Sequence, residues 1–309
     1  MPRVFTKKSP YARYELWVFL LLVSLGTVGY LYRLSAYEFA LESTVSTVSV
    51  TERNPLHSQI KQVQCPFPGG GTREAWVYLP SGYNLTQTSY PTLYLLHGSP
   101  GNDNDWLVRG NARQALDQEI RNKQLPATIV VFPNGNSSNS DETQYLNSTD
   151  KKELNETFIS HSLVASIDKS FRTDPTRRAI GGLSSGGFGA LNIGLKNQQT
   201  FGQIISFSGY AIPLHDPQSK FYLPTSTQGI ADISPLTYIP TLTTHSSAIW
   251  LTSEAQGSYA AENRLILHAL TDRGFSATLA TAYGGHDWGL WSRQLPVSLR
   301  WLGSQWSYT

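Results

Sequence analysis

Short apolar runs, each long enough for one strand, recur along most of the chain. They lie at residues 75–79, 92–96, 128–132, 178–181, 203–207, 248–252 and 277–282. Segments of helical length lie between most of them, at 112–123, 158–170, 188–196 and 259–272. Strands that alternate with helices indicate a mostly parallel sheet that helices cover on both faces. The pattern therefore predicts an α/β fold.

The connections between these runs predict where the sheet begins and where ligands bind. A turn rich in proline and glycine at 66–71 (PFPGGG) predicts an antiparallel pair of strands at the start of the domain. The segments 134–153 and 213–244 are irregular and predict long loops. Because ligands bind beyond the carboxyl ends of the strands in open parallel sheets, we expect these loops to form walls of the site.

The N-terminal region has a different pattern. An apolar run at 16–32 carries no charged residue, and four basic residues precede it: Arg3, Lys7, Lys8 and Arg13. The run is near the length of about 20 residues that spans a bilayer, and the basic residues favour a cytoplasmic N-terminus. The prediction is a cytoplasmic tail at 1–13, a transmembrane signal anchor at 14–34, a linker or stalk at 35–58 and a single extracytoplasmic catalytic domain at 59–309. If the anchor is cleaved as a signal peptide, the domain is secreted.

Charge and cysteine content exclude several classes of protein. The chain has 24 Lys and Arg against 22 Asp and Glu, so its net charge is +2 and no nucleic-acid partner is expected. A single cysteine, Cys65, excludes an intramolecular disulfide. The histidines lack the H-x-x-x-H spacing of a metal site, so no metal is expected.

The central chemical feature is a G-x-S-x-G motif formed by Gly182, Ser184 and Gly186. In this motif a sharp turn from strand to helix exposes the serine, and only small flanking residues fit the turn. The context agrees, because an apolar strand precedes the motif and 188–195 has the pattern of a helix. Ser184 is therefore the predicted nucleophile, and an ordinary glycine and serine turn is the alternative.

A histidine and a carboxylate are needed to activate this serine, since its hydroxyl is a weak nucleophile. His286 is the predicted base, because it lies in a glycine-rich loop directly after the last predicted strand and follows the serine in chain order. The acid that orients the imidazole should follow the strand at 248–252, where Glu254 is the only carboxylate of the loop. Asp232 and Asp287 are the alternative acids.

The transition state also needs hydrogen-bond donors for its oxyanion. The first predicted donor is the backbone N–H of Ser185, the residue after the nucleophile. The second is the backbone N–H of Ser99, in the loop after the strand at 92–96. We interpret His97 in this loop as a residue that fixes the loop and not as a second base, because His286 already fits that role.

Together these segments resemble the putative esterase (esterase D-like) family of the α/β-hydrolases, which is related to feruloyl esterases and mycolyltransferases. The matching segments are WVYLPSGY at 76–83, YLLHGS at 94–99, DW at 105–106, GLSSGG at 182–187 and GHDW at 285–288. The resemblance implies an α/β-hydrolase fold, no cofactor, and a triad of Ser184, His286 and an acid. It also gives four candidate substrate contacts: His97, Asp105, Trp106 and Trp288.

Two positions depart from the family pattern. Ser185 stands where the family often has methionine, and since the donor there is a backbone group, the change should affect only the shape of the pocket. The family's usual acid aligns nearer Gln256 or Gly257. Either Glu254 substitutes from the same loop or the triad is incomplete.

The expected function is that of a membrane-tethered serine esterase that hydrolyses carboxylic esters through an acyl-enzyme. We expect a small-molecule or cell-envelope ester as substrate. Acyl transfer to a cell-surface sugar or lipid is the alternative among enzymes, since it shares the acyl-enzyme and differs only in the acceptor. A catalytically inactive hydrolase fold that serves as a binding module is the alternative from another class, and an incomplete triad would favour it.

Overall fold

The computed structural model describes residues 57–137, 140–215, 219–243 and 246–307. Its eight strands are β1 Gln59–Pro66, β2 Thr72–Leu79, β3 Tyr90–Leu96, β4 Ile129–Pro133, β5 Thr173–Leu183, β6 Gln203–Phe207, β7 Ala248–Glu254 and β8 Ser276–Ala282. They form one sheet in the order β1-β2-β4-β3-β5-β6-β7-β8. β2 is antiparallel to β1 and β4, and all other neighbours are parallel.

Helices connect most of the parallel strands. They are α1 Asp105–Val108, α2 Ala112–Arg121, α3 Asn155–Thr157, α4 Val164–Ser170, α5 Ser185–Lys196, α6 Thr227–Asp232, α7 Pro235–Tyr238, α8 Ser258–Asp272 and α9 Trp288–Ser307. A π-helical turn, Phe158–Leu163, joins α3 to α4, and three short 3-10 turns lie at Tyr83–Leu85, Ser219–Phe221 and Ile239–Thr241.

The parallel strands send alternate side chains into two apolar cores, one on each face of the sheet. In β3, Leu96 belongs to the first core and Leu95 to the second. Helices α5 and α8 close the first core, through Leu191 and Ile266 among others, while α2 and α9 close the second. Because both faces are covered, β3 and β4 are buried along their whole length. Each fully buried Leu or Ile side chain stabilises the fold by about 1.5–3 kcal/mol.

The predicted α/β fold with a mostly parallel sheet is confirmed, and each predicted strand overlaps one of β2 to β8. The turn at 66–71 joins the antiparallel pair β1 and β2, as its composition predicts. The segment 213–244 differs from the prediction, since its described residues contain α6 and α7. The helix α9 is not among the predicted helices.

Within the part of the chain that the structure describes, no helix is long and apolar enough to cross a bilayer. The predicted tail at 1–13 and anchor at 14–34 lie outside the described residues, as does nearly all of the predicted linker.

Candidate active site

Ser184 lies in the turn between β5, which ends at Leu183, and α5, which begins at Ser185. Its backbone has φ 51° and ψ −117°, a strained conformation for a residue with a Cβ. The Ser184 N–H donates to the carbonyl of Phe207 (2.9 Å), and the Ser184 carbonyl accepts from the N–H of Phe188 (3.0 Å). These bonds hold the turn, in which Ser184 is partly exposed between buried neighbours. The hydroxyl is therefore presented to the site.

Close backbone contacts explain the two glycines of the motif. A Cβ on Gly182 would collide with the carbonyl of Gly186 and lie 2.8 Å from the Cβ of Leu96. A Cβ on Gly186 would collide with the carbonyl oxygen of His97 and lie 2.8 Å from that of Leu96. Because neither position has room for a side chain, the turn can lie directly against the end of β3.

His286 reaches Ser184 from the loop between β8 and α9. Its Nε2 lies 2.9 Å from Ser184 Oγ, a hydrogen-bond distance. In the same loop Gly284 has φ 151°, which favours glycine. The Asp287 carboxylate accepts the N–H of Leu290 (3.0 Å) at the start of α9. This loop conformation brings the imidazole over the carboxyl edge of the sheet.

Glu254 is the carboxylate on the other side of the imidazole. It is the last residue of β7 and not part of the following loop, and its side chain is 7% exposed. Its Oε1 lies 3.7 Å from His286 Nδ1, an ion-pair distance that is too long for a hydrogen bond. Nδ1 has no hydrogen-bond partner among the described residues. The alternative acids are engaged elsewhere, since Asp287 caps α9 and Asp232 accepts a hydrogen bond from Gln228.

Two aromatic rings enclose the imidazole of His286. Tyr259 in α8 stacks on it with ring centroids 4.0 Å apart and an interplanar angle of 12°. Trp291 in α9 packs against it at 86°, with centroids 4.9 Å apart. Contacts on two sides restrict rotation of the imidazole, so its orientation does not depend on the long contact with Glu254 alone. Neither ring is among the site residues predicted from the sequence.

Burial and charge change the pKa of His286 in opposite directions. Desolvation of the partly buried imidazole is the larger effect and holds the pKa below the ordinary histidine value. The carboxylates of Glu254 and Asp287 stabilise the imidazolium and raise the pKa back toward that value. The result is a histidine that is neutral at neutral pH and able to accept a proton.

The two predicted oxyanion donors lie in segments beside Ser184. Ser185 is buried and is the first residue of α5, so its N–H has no acceptor within the helix. Gly98 passes next to the serine, because a Cβ at Gly98 would lie 3.4 Å from Ser184 Cβ. Ser99 follows Gly98 in the same loop. The structure thus places both segments beside Ser184.

His97 holds the loop after β3 and does not face a substrate. Its Nε2 accepts the N–H of Gly135 (2.9 Å), so the proton lies on Nδ1, which donates to the carbonyl of Gly98 (2.7 Å). The residue is 3% exposed, and burial lowers the pKa of its imidazole. The hydroxyl of Tyr145 donates to the His97 carbonyl (3.0 Å). Since both ring nitrogens bond to the backbone, the substrate contact that the resemblance implies for His97 is corrected, and the interpretation of His97 as a loop-fixing residue accounts for these bonds.

Asp105 and Trp106 require the same correction. The Asp105 carboxylate is buried at the start of α1 and accepts the N–H of Asn102 (3.2 Å). Trp106 is buried, and its indole N–H donates to the carbonyl of Leu96 (2.8 Å). Both residues fix the loop after β3, and neither is exposed to a substrate. Trp288 is partly exposed and packs edge-on against Trp106, with centroids 5.2 Å apart, so it stays a predicted substrate contact.

Ser208 is a further residue of the site that the sequence reasoning missed. It directly follows β6, and its Oγ lies 2.9 Å from Glu254 Oε2 and 3.2 Å from Trp291 Nε1. A serine that follows a buried parallel strand lies at the edge of the sheet where ligands bind, and this position is the signal that could have found it.

The structure offers neither a reactive cysteine nor a metal site among the described residues. The thiol of Cys65 is buried in β1, and burial raises its pKa, which disfavours the reactive thiolate. Among the described residues, no group of three or more His, Cys, Asp or Glu side chains is arranged to hold a metal ion. Ser184 therefore stays the candidate nucleophile, because its hydroxyl contacts the imidazole of His286 at the carboxyl edge of the sheet.

This fold and the contact between Ser184 and His286 define an α/β-hydrolase. Comparison with known sequences is more specific, because the family described as "Putative esterase" matches residues 70–302, well over half of the chain. The chain belongs to this esterase family, which confirms the family resemblance of its motifs.

The individual relatives share about a third or less of their aligned residues with this chain. An acetyl esterase of Caldicellulosiruptor saccharolyticus is 28% identical over 68% of this chain and 82% of its own length. An endo-1,4-beta-xylanase/feruloyl esterase of Xylanibacter ruminicola is 32% identical over 54% of this chain and 24% of its own. The solved structure of a ferulic acid esterase has a TM-score of 0.72 at 23% identity, over 81% of this chain and 99% of its own, which shows a shared fold. The chain spans less than half the length of the first curated relatives that it matches.

Proposed function

We propose that this protein hydrolyses carboxylic esters through an acyl-enzyme formed on Ser184. The observation that carries the proposal is the 2.9 Å contact between His286 Nε2 and Ser184 Oγ at a strained turn. A serine hydroxyl bonded to a neutral imidazole is the arrangement that general-base activation requires. Membership of an esterase family supports the same reaction. The contact also favours an enzyme over an inactive binding module.

The first half of the reaction forms the acyl-enzyme. Ser184 Oγ attacks the carbonyl carbon of the ester while its proton passes to His286 Nε2. The resulting oxyanion is stabilised by the backbone N–H groups of Ser185, which follows the nucleophile, and of Ser99, whose neighbour Gly98 passes beside it. The tetrahedral intermediate then breaks its bond to the alcohol oxygen, which takes the proton from Nε2 and leaves.

The second half releases the acid. His286 Nε2 removes a proton from water, and the hydroxide attacks the acyl carbonyl at the same oxyanion site. The acyl bond to Ser184 breaks, and Oγ recovers the proton from Nε2. Glu254, 3.7 Å from Nδ1, stabilises the imidazolium in both halves without accepting its proton.

The substrate class is proposed from the relatives. One curated relative is named an acetyl esterase and another a feruloyl esterase, so acetyl and hydroxycinnamoyl esters are the first substrates to test. The partly exposed ring of Trp288 would offer an apolar surface to either acyl group.

The direct test is covalent labelling of the nucleophile. We expect the purified protein to hydrolyse p-nitrophenyl acetate and to react with one equivalent of a fluorophosphonate, because both reagents need an activated serine. Peptide mass spectrometry should locate the phosphonyl group on Ser184. A folded protein that neither turns over the ester nor takes up the label would refute the proposal.

The pH profile should report the ionisation of His286. We expect kcat/KM for p-nitrophenyl acetate to rise with pH through a midpoint below the ordinary histidine value of about 6.5. The reason is that only the neutral imidazole accepts a proton, and burial holds its pKa low. In Glu254→Gln the imidazolium loses a stabilising negative charge, so the pKa of His286 falls. The acid limb of the profile, where kcat/KM rises with pH, therefore moves to lower pH. The same change should lower kcat by roughly 10²- to 10⁴-fold.

Asp287→Asn is the matched control for that pH profile. Asp287 also raises the pKa of His286, but its carboxylate caps α9, and asparagine can accept the same hydrogen bond. The acid limb should therefore move slightly to lower pH while kcat stays near the wild-type value. A midpoint above about 6.5 in the wild type, or an unchanged kcat in Glu254→Gln, would contradict the assignment.

The location of the catalytic domain is a separate proposal. The uncharged apolar run at 16–32 and the basic residues before it support a membrane anchor with the esterase domain outside the cytoplasm. The full chain, tagged at its C-terminus, should then appear in the membrane fraction. The tag should be digested by protease added to intact cells, or to spheroplasts if an outer layer intervenes. A tag that is soluble and protected from protease would refute this location.

A further inference from the structure

We propose that Ser208, held by Trp291, is a positioning residue that aims the carboxylate of Glu254 at His286. The inference rests on the proposed esterase function, because it concerns the acid of the same site. It explains how a glutamate that makes no hydrogen bond to the imidazole keeps one oxygen facing it.

The backbone places Ser208 beside the acid. Strands β6 and β7 are parallel neighbours, with Phe207 opposite Thr252. Ser208 follows Phe207, and its N–H donates to the carbonyl of Thr252 (2.7 Å). Its φ of 48° is strained for a serine, which is typical of a residue that its surroundings force into place. The residue is fully buried next to Glu254, the end of β7.

The direction of the hydrogen bonds follows from the groups involved. The indole Nε1 of Trp291 can only donate, so Ser208 Oγ accepts at that contact of 3.2 Å. The single hydroxyl proton is then directed to Glu254 Oε2, 2.9 Å away. An ionised carboxylate accepts such a bond and gains from it, because hydrogen bonds to charged groups are stronger than neutral ones.

This bond determines where the second oxygen of the carboxylate lies. Once Oε2 is held by Ser208, the plane of the carboxylate is set, and Oε1 lies 3.7 Å from His286 Nδ1. At that distance the imidazole itself cannot hold the carboxylate by a hydrogen bond. Trp291 contacts both Ser208 and the base, because its N–H bonds to Ser208 and its ring packs on His286. One side chain of α9 therefore holds Ser208, which bonds to the acid Glu254, and also packs against the base His286.

Substitution of Ser208 should therefore affect turnover through Glu254. We expect Ser208→Ala to lower kcat for p-nitrophenyl acetate roughly ten- to hundredfold with little change in KM, because the imidazolium is stabilised less in the transition state. The acid limb of kcat/KM should move to lower pH, since a carboxylate that is no longer held raises the pKa of His286 less. Asp287, the other carboxylate that acts on His286, is unchanged in this variant.

A double-mutant cycle separates positioning from a merely structural role. If Ser208 acts through the acid, Ser208→Ala should have almost no further effect on kcat in a Glu254→Gln background. Trp291→Phe removes the indole donor, and its loss of kcat should be severalfold and not additive with that of Ser208→Ala. This variant carries the same test if Ser208→Ala does not fold.

Ser298→Ala is the control for loss of a buried hydroxyl. Ser298 is fully buried in α9, and its hydroxyl bonds to the carbonyl of Gln294 (3.0 Å), away from the acid. It should keep the wild-type kcat and pH profile. If Ser208→Ala behaves like this control, or if its effect is additive with Glu254→Gln, the inference is wrong while the esterase proposal stands. If the wild type neither hydrolyses the ester nor reacts with the fluorophosphonate, both fail.

Discussion

Replacement of Ser184 by alanine should lower the rate of ester hydrolysis by between about 10⁴- and 10⁶-fold. The variant keeps the oxyanion donors and the sharp turn at 182–186, here called the elbow, but it has no hydroxyl for His286 to activate at 2.9 Å. The remaining rate should come from substrate binding and oxyanion stabilisation alone. The measurement is kcat for p-nitrophenyl acetate, together with the uptake of a fluorophosphonate, which should fall to background. Thermal unfolding should change little, because alanine keeps the Cβ and therefore the same backbone strain at φ 51°.

Ser185→Ala is the matched control, since the two serines are adjacent. Ser185 is predicted to act through its backbone N–H, which alanine retains, and its side chain is buried in α5. This variant should therefore keep most of the wild-type kcat and should still be labelled on Ser184. Normal labelling of Ser184→Ala, or loss of labelling in Ser185→Ala alone, would show that the nucleophile is misassigned.

The sequence is informative about the fold because strand periodicity and turn chemistry are local. The run at 203–207 predicts β6 with the bounds that the structure has, and the PFPGGG turn predicts the β1 and β2 pair. The G-x-S-x-G motif is local too. Its first and last positions must be glycine because a side chain there would collide with atoms of the turn or of the end of β3. Such features need no knowledge of distant residues.

The distant contacts that Ser208 and Tyr259 make in the site could not be predicted. Ser208 and Glu254 are 46 positions apart, and they meet only because β6 and β7 are neighbours in the sheet. The ring of Tyr259 lies on His286 because α8 and the loop before α9 approach the same edge. The position of Ser208 after a buried strand places it at the edge of the sheet where ligands bind. Sequence position alone does not fix which strands are neighbours or how a helix rotates, so the partners of Ser208 and Tyr259 leave no local pattern.

The family resemblance also implies more substrate contacts than the structure supports. Trp106 matches the family pattern, yet its indole N–H bonds to the carbonyl of Leu96 and its ring is buried. His97 likewise uses both ring nitrogens within the loop. A residue type that recurs beside an active site can be there to shape the loop, and only burial and hydrogen-bond partners separate the two roles.

Replacement of Gly186 by alanine should damage both stability and activity. Alanine is favoured over glycine in a helix by about 1 kcal/mol, which alone would stabilise α5. At this position, however, the methyl group would collide with the carbonyl of His97 and lie 2.8 Å from that of Leu96. Both are backbone atoms that cannot turn aside, so we expect a net loss of about 3 kcal/mol and a Tm lower by roughly 6–12 °C.

Activity should fall in the same variant because the collision pushes the elbow away from the loop that carries the predicted donor Ser99. A displacement of about 1 Å between reacting groups costs roughly a hundredfold in kcat. The control is Gly202→Ala, just before β6, where a Cβ would meet no atom within 4 Å. That variant should stay within about 0.5 kcal/mol of the wild type in urea unfolding and keep its kcat. Wild-type Tm and kcat in Gly186→Ala would mean that the contact between the elbow and the end of β3 does not hold the nucleophile in place.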